Sequence, residues 1–271
     1  MRSSKPLGYI VVLTIALSCQ SSSAVGAEPE LGGDYLKRDK GNETLVVFVA
    51  GLAGERTWKP LVRLIDSDND LSSIDYLVYH SPDSLDIDGN VSRLETILRD
   101  MQDKGSKHAN EVYVGHSIGG TIIKQSLLRV IAQANQLNVP KLVITYGTPL
   151  DSDNFNISSW ESLGARVLRG PLPPLRKEAL NIDRLKKINE AWRTAVKTAP
   201  LSEVRLVNVF GVGDRTAPIE KESRSNVSVF IDGDHISIAS PTKSDDCSFV
   251  IFKAMVKNWT AVLNKIPCIL K

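Results

Sequence analysis

Six short runs rich in Val, Ile and Leu punctuate the chain: Thr44–Ala50 (TLVVFVA), Ile74–Tyr79 (IDYLVY), Glu111–His116 (EVYVGH), Lys141–Gly147 (KLVITYG), Val204–Phe210 (VRLVNVF) and Val227–Ile231 (VSVFI). Their apolar character is nearly continuous, which predicts strands covered on both faces, as in a parallel sheet. Between them, Asn90–Asp103 and Thr121–Gln136 carry apolar residues at helical spacing. This alternation of strand and helix predicts an α/β fold built on a doubly wound, mostly parallel sheet of about six or seven strands. A last helix is expected from Asp245 to about Asn264, with Phe249, Phe252, Val256 and Trp259 on one side. No internal repeat interrupts this rhythm.

One segment does break it. Between two strands stand about fifty residues, roughly 151–203, more than a connection requires. They comprise a proline-rich stretch, RGPLPPLRKEAL, and an amphipathic helix over Asn181–Lys197 with Leu185, Ile188 and Trp192 aligned. The segment is read as a helical cap over one end of the sheet. From Gly164 to Ala199 it holds nine Lys/Arg against three acids. That excess suits either a solvated helix face or a surface for anionic substrate or lipid headgroups at a membrane.

Composition adds bounds. The 271 residues are 42% hydrophobic and 24% charged, which suits one generous α/β domain. Arg2 and Lys5 precede the apolar run YIVVLTIAL and a small-residue V-x-A site ending at Ala27, the three-part pattern of a secretory signal peptide over residues 1–27. The domain then runs over 28–271, and the expected location is secreted or periplasmic. Lipidation at Cys19 is the lesser alternative, because Leu17 is one position out of place for a lipoprotein site. Without the leader, 31 bases face 31 acids, so no global field recruits nucleic acid. Export leaves Cys247 and Cys268. If a helix carries Cys247 some 25 Å from its own end, the last residues cannot bring Cys268 back, so the spacing favours free or intermolecular thiols over an internal bridge.

The chemistry centres on Gly115-His116-Ser117-Ile118-Gly119, a G-x-S-x-G placed where a strand gives way to a helix. Such a turn lifts the serine hydroxyl to the open end of the sheet and sets the helix N-terminus beneath it. A serine hydroxyl needs a base, and four histidines compete. His116 points to the opposite face from Ser117, and His108 precedes its strand. His80 ends a strand at the correct edge and is the reserve. His235 follows the last strand in a loop able to reach the site and is the preferred base. Asp214, reached through two glycines after the penultimate strand, is the expected orienting acid. Asp151 is its rival, while Asp232 and Asp234 lie too close to His235. For the oxyanion, the backbone N–H of Ile118 and that of Leu52, between Gly51 and Gly54, are the expected donors.

VVFVAGLAGERTWKPL, VGHSIGGTIIKQSLL and YGTPL together resemble the lipase-like α/β-hydrolase superfamily, and its branch of GPI-inositol-deacylase-like and serine-active-site-containing proteins in particular. The likeness covers roughly Thr44 to Leu150 and thins until Asp214 and His235. It implies an α/β-hydrolase fold and carboxylic ester hydrolysis through an acyl-enzyme, with Ser117, Asp214 and His235 as the triad, a small-molecule or lipid acyl ester as substrate, and no cofactor or metal. Two departures bear on substrate choice: Ala50 stands where many relatives have histidine, and Leu150 replaces the common histidine after Gly-Thr-Pro. Thioesterase or amidase activity, and a non-catalytic binding protein of the same fold, are the alternative readings.

Overall fold

The computed structural model describes residues 30–32, 35–51, 54–82, 85–132, 138–149, 181–214, 226–258 and 263–270. All six predicted strands form: β3 (Thr44–Val49), β4 (Ile74–Tyr79), β5 (Asn110–His116), β6 (Leu142–Tyr146), β7 (Arg205–Gly211) and β8 (Asn226–Ile231). Two short strands precede them, β1 (Glu30–Gly32) and β2 (Tyr35–Arg38). The eight strands lie in the order β1-β2-β4-β3-β5-β6-β7-β8, with β3 to β8 parallel and the β1–β2 hairpin antiparallel at one edge.

Among the described residues five α-helices cover the sheet: α1 (Lys59–Ser67), α2 (Ile87–Asp103), α3 (Ile118–Ala132), α4 (Ile182–Ala195) and α5 (Cys247–Lys257). The period-2 geometry of a strand divides the core between the two faces. Leu45, Val47 and Val49 of β3 pack with α2, α3 and α4, whereas Val46 and Phe48 pack with α1 and α5. Continuous apolar strands are the consequence, since neither face meets water. Side-chain caps start two of the helices. Asp86 accepts from Gly89 N at 2.7 Å before α2, and Asn181 accepts from Arg184 N at 3.2 Å before α4.

The expected cap is corrected in its second half. Leu185, Ile188 and Trp192 of α4 lie in the same core as α2 and α3, so α4 is the crossover that lets β6 and β7 run parallel. Residues 150–180 lie outside the described residues, as do the expected leader, Cys19 and Trp259. The buried Lys124 of α3 donates to Asn189 Oδ1 of α4 at 3.0 Å, and Asn189 Nδ2 donates to Pro149 O at 3.4 Å. This chain of bonds fastens the crossover helix to the loop after β6. Among the described residues no helix is long and apolar enough to cross a membrane.

The cysteines also depart from expectation. Cys247 and Cys268 form a disulfide, with Cα atoms 5.7 Å apart. The expectation rested on a helix running to about Asn264, but α5 stops at Lys257 because Asn258 is extended (φ −152°, ψ 93°). Eleven residues after the helix, rather than the four that would follow Asn264, therefore bring the chain back to Cys268. Its end is held where Leu270 N donates to Phe230 O of β8 at 2.8 Å. Closing a loop over a sequence separation of 21 constrains the unfolded chain by about 3 kcal/mol. Replacing both Cys247 and Cys268 by Ser is expected to lower unfolding free energy by about that amount, measured by urea denaturation.

Candidate active site

The turn between β5 and α3 is built by exclusion of side chains. Ser117 has φ +58°, alone in the left-handed region among described non-glycine residues. That conformation costs an L-residue about 1–3 kcal/mol and must be held by its surroundings. Ser117 N donates to Tyr146 O at 2.9 Å, Ser117 O accepts from Gly120 N at 3.1 Å, and Thr148 Oγ1 donates to the same oxygen at 3.0 Å. The flanking glycines serve close approach. A Cβ on Gly119 would lie 2.1 Å from Val49 O, and one on Gly115 would lie 2.6 Å from Gly120 Cα. Helix α3 thus begins directly against the ends of β3 and β5.

His235 and Asp214 arrive on two neighbouring loops. Val212 N donates to Ile231 O, and Gly213 N to Gly233 O, both at 3.0 Å, so the loops after β7 and β8 are joined to each other. Asp234 accepts from Ile236 N at 3.1 Å and Ser237 N at 2.8 Å, which makes it the turn-former of the loop carrying His235 rather than an orienting acid. His235 Nδ1 donates to Asp214 Oδ2 at 2.7 Å, with the Asp214 side chain wholly inaccessible. That bond assigns the proton to Nδ1 and leaves Nε2 as the basic nitrogen. Gly147 packs against the pair, and a Cβ there would sit 2.9 Å from His235 Nδ1 and 3.0 Å from Asp214 Oδ2.

Ser117 belongs to the same cluster. A Cβ on Gly51 would meet Ser117 Oγ at 3.0 Å, so the loop after β3 backs the serine. Ile118 opens α3, where the first N–H groups have no carbonyl within the helix. The structure therefore gathers Ser117, Ile118, Asp214 and His235 at the C-terminal ends of β5, β7 and β8. Leu52 and the rival acid Asp151 lie outside the described residues. His108 is at the other end of the sheet, bonded to Asp75. His80 is half-buried at the end of β4, and it is His235 that Asp214 holds.

Sequence reasoning set His116 aside, and the structure gives it a part. Its Nε2 donates to the backbone oxygen of His235 at 2.8 Å, and the two rings lie 4.8 Å apart. The residue before the serine thereby holds the main chain of the histidine 119 positions later. Its place on the face opposite Ser117 was the available signal, since that face packs beneath the His235 loop. His116 is buried against the edge of Trp58, and loss of solvation, followed by repulsion from His235, pushes its pKa down to about 3.

The described chain has the α/β-hydrolase fold, as its likeness to solved structures shows. It resembles carboxyl esterase 2 of Tuber melanosporum over 82% of this chain and 78% of that one, at 12% identity and a TM-score of 0.54. The mature lipase of Bacillus licheniformis aligns over 82% and 98% at 16% identity and a TM-score of 0.52. The thioesterase domain from the curacin biosynthetic pathway aligns over 84% and 97% at 11% identity and a TM-score of 0.50. No protein-family model matches the chain, and no curated protein matches it in sequence. The superpositions show the architecture, and at these identities they show nothing beyond it.

Acid stability should report His116. Unfolded, it titrates near 6.5, and folded near 3, so the native state refuses a proton that the unfolded chain accepts between those values. Its contribution is full above pH 6.5 and is lost as pH falls toward 3, at about 1.4 kcal/mol per pH unit. Unfolding free energies across that window are expected to slope less steeply for His116→Phe than for the wild type.

Proposed function

We propose that the protein is an exported serine hydrolase that cleaves carboxylic esters through an acyl-enzyme. Nε2 of His235 removes the proton from Ser117 Oγ as that oxygen attacks the acyl carbonyl. Asp214 keeps the other ring proton on Nδ1 and stabilises the imidazolium as it forms. The N–H of Ile118, at the positive end of α3, faces the developing oxyanion, with a second donor supplied by the loop after β3. The imidazolium then protonates the leaving alcohol, and water activated by the same histidine releases the acid.

The observation that carries this reading is the buried 2.7 Å bond between His235 Nδ1 and Asp214, set beside a serine in a strained left-handed turn. Buried ion-forming pairs beside backbone strain are characteristic of catalytic centres. Lipase and esterase neighbours of the same fold support the ester class, and the thioesterase neighbour makes acyl thioesters the second substrate to try. A disulfide between Cys247 and Cys268 supports export, since such bonds persist in oxidising compartments. Lys187, Arg193 and Lys197 are exposed on or just after α4 and suit contact with an anionic membrane surface.

A fluorophosphonate probe is expected to label the wild-type protein at Ser117 and to leave Ser117→Ala unlabelled. Asp214→Asn should lower kcat on a p-nitrophenyl ester by roughly 10⁴-fold, as loss of the correct tautomer does in serine hydrolases. Labelling that persists in Ser117→Ala, or full turnover by His235→Ala, would remove the assignment. Comparing p-nitrophenyl esters of increasing length with the matching thioesters then ranks the two substrate classes.

A further inference from the structure

The opposite end of β5 holds a carboxylate that the proposed chemistry does not use. Glu111 is 6% exposed, six residues before Ser117 and so about 20 Å from it along the strand. A carboxylate has about four lone-pair positions, and two of those on Glu111 are occupied: Tyr113 OH donates to Oε2 and Asn138 Nδ2 to Oε1, each at 3.0 Å. Both donors are neutral. Burial pushes the Glu111 carboxyl above its ordinary range. His108, which lines the same cavity, is turned to Asp75 and bonded to it at 3.2 Å.

Asp75, at the foot of β4, shows what a satisfied carboxylate looks like at this end of the sheet. It accepts from Lys40 N, Asn42 N, Asn42 Nδ2 and His108 Nε2, at 2.9, 2.8, 2.8 and 3.2 Å. All four positions are filled, and the Asp39–Asp75–His108 group is closed by its own bonds. Glu111, in contrast, lines a cavity of about 340 Å³, large enough for a small ligand. Leu45, Leu98 and Met101 form the apolar part of that cavity.

We propose that this cavity is a second binding site, distinct from the serine centre, which takes a small organic ammonium ion bearing an aliphatic chain. The ammonium donates to the two unfilled positions on Glu111, adding a cationic donor to a buried carboxylate whose two bonded donors are neutral. The chain lies along Leu45, Leu98 and Met101. A hard metal cation fits less well, because it needs several oxygen ligands converging on one point, and Glu111 is the only carboxylate in a lining that also holds Leu45, Leu98, Met101 and the cationic Lys107. Lys107, exposed at the lining, opposes a cationic guest, so its removal strengthens binding.

The test is a methyl-NMR titration of the wild-type protein with n-butylammonium chloride, using n-butanol and sodium butyrate as isosteric probes. Butylammonium is expected to shift the Leu45, Leu98 and Met101 methyls, with the alcohol and the carboxylate inert at the same concentration. Glu111→Gln should weaken binding by about tenfold or more, the loss of a charge-assisted bond. Lys107→Gln should tighten it. Gln102→Trp, which fills the cavity from its half-buried rim, should abolish it while leaving the wild-type fold in place. Equal shifts from butanol, undiminished affinity in Glu111→Gln, or shifts confined to the surroundings of Ser117 would overturn the site. So would a calcium or magnesium titration that moved these methyls when butylammonium did not. None of these outcomes depends on turnover at Ser117.

Discussion

A single close approach of backbone to backbone governs the functional end of the molecule. Helix α3 starts against the carboxyl ends of β3 and β5, so tightly that a methyl group on Gly119 would lie 2.1 Å from a β3 carbonyl oxygen. Ser117 accepts an unfavourable φ because its neighbours leave the chain no other course. The hydrogen bonds that hold it come from the end of β6 and the loop just beyond. The same loop brings Gly147 against His235 and Asp214. One packing constraint therefore fixes the serine and shapes the floor on which the other two groups rest.

Parallel strands make this convergence possible. With β3 to β8 running the same way, every following loop emerges at one edge, so groups separated by more than a hundred residues meet there without long excursions. His116 uses that geometry a second time. Successive residues of a strand point to opposite faces, so Ser117 serves one side while His116 reaches under the sheet edge to the His235 carbonyl. Its neutrality is part of the arrangement, because a cationic neighbour 4.8 Å from the His235 ring would oppose formation of a second imidazolium.

Much of this was legible in the sequence, for identifiable reasons. Strands buried on both faces leave continuous Val/Ile runs, and all six of those runs became parallel strands. The pairing of Asp214 with His235 followed from elimination among four histidines and from glycines that permit a sharp loop. The features that were missed depend on where elements stop and what they touch. Strands β1 and β2 are three and four residues long and carry no apolar run to announce them. The disulfide turned on an α5 that ends at Lys257 after eleven residues, a boundary that helical periodicity continues past. The helix expected over the sheet's end proved to be the β6–β7 crossover, because its stripe of Leu185, Ile188 and Trp192 fits a layer as well as it fits a lid.

The two ends of β5 show one rule acting in different ways. A polar group withdrawn from water must find its full complement of partners within the fold or from a guest. At the carboxyl end, His116 meets the rule in part: Nε2 finds a backbone oxygen, Nδ1 has no partner among the described residues, and the ring stays neutral. At the amino end, the loop from Lys40 to Asn42 wraps Asp75 and fills its carboxylate, which holds its pKa down despite burial. Glu111 faces a cavity where Asp75 faces a loop, and its carboxyl moves the other way. Two buried carboxylates in neighbouring parts of one sheet thus differ in sign of shift because of what stands opposite them. The half-filled one is where the fold has left room for a cation from outside.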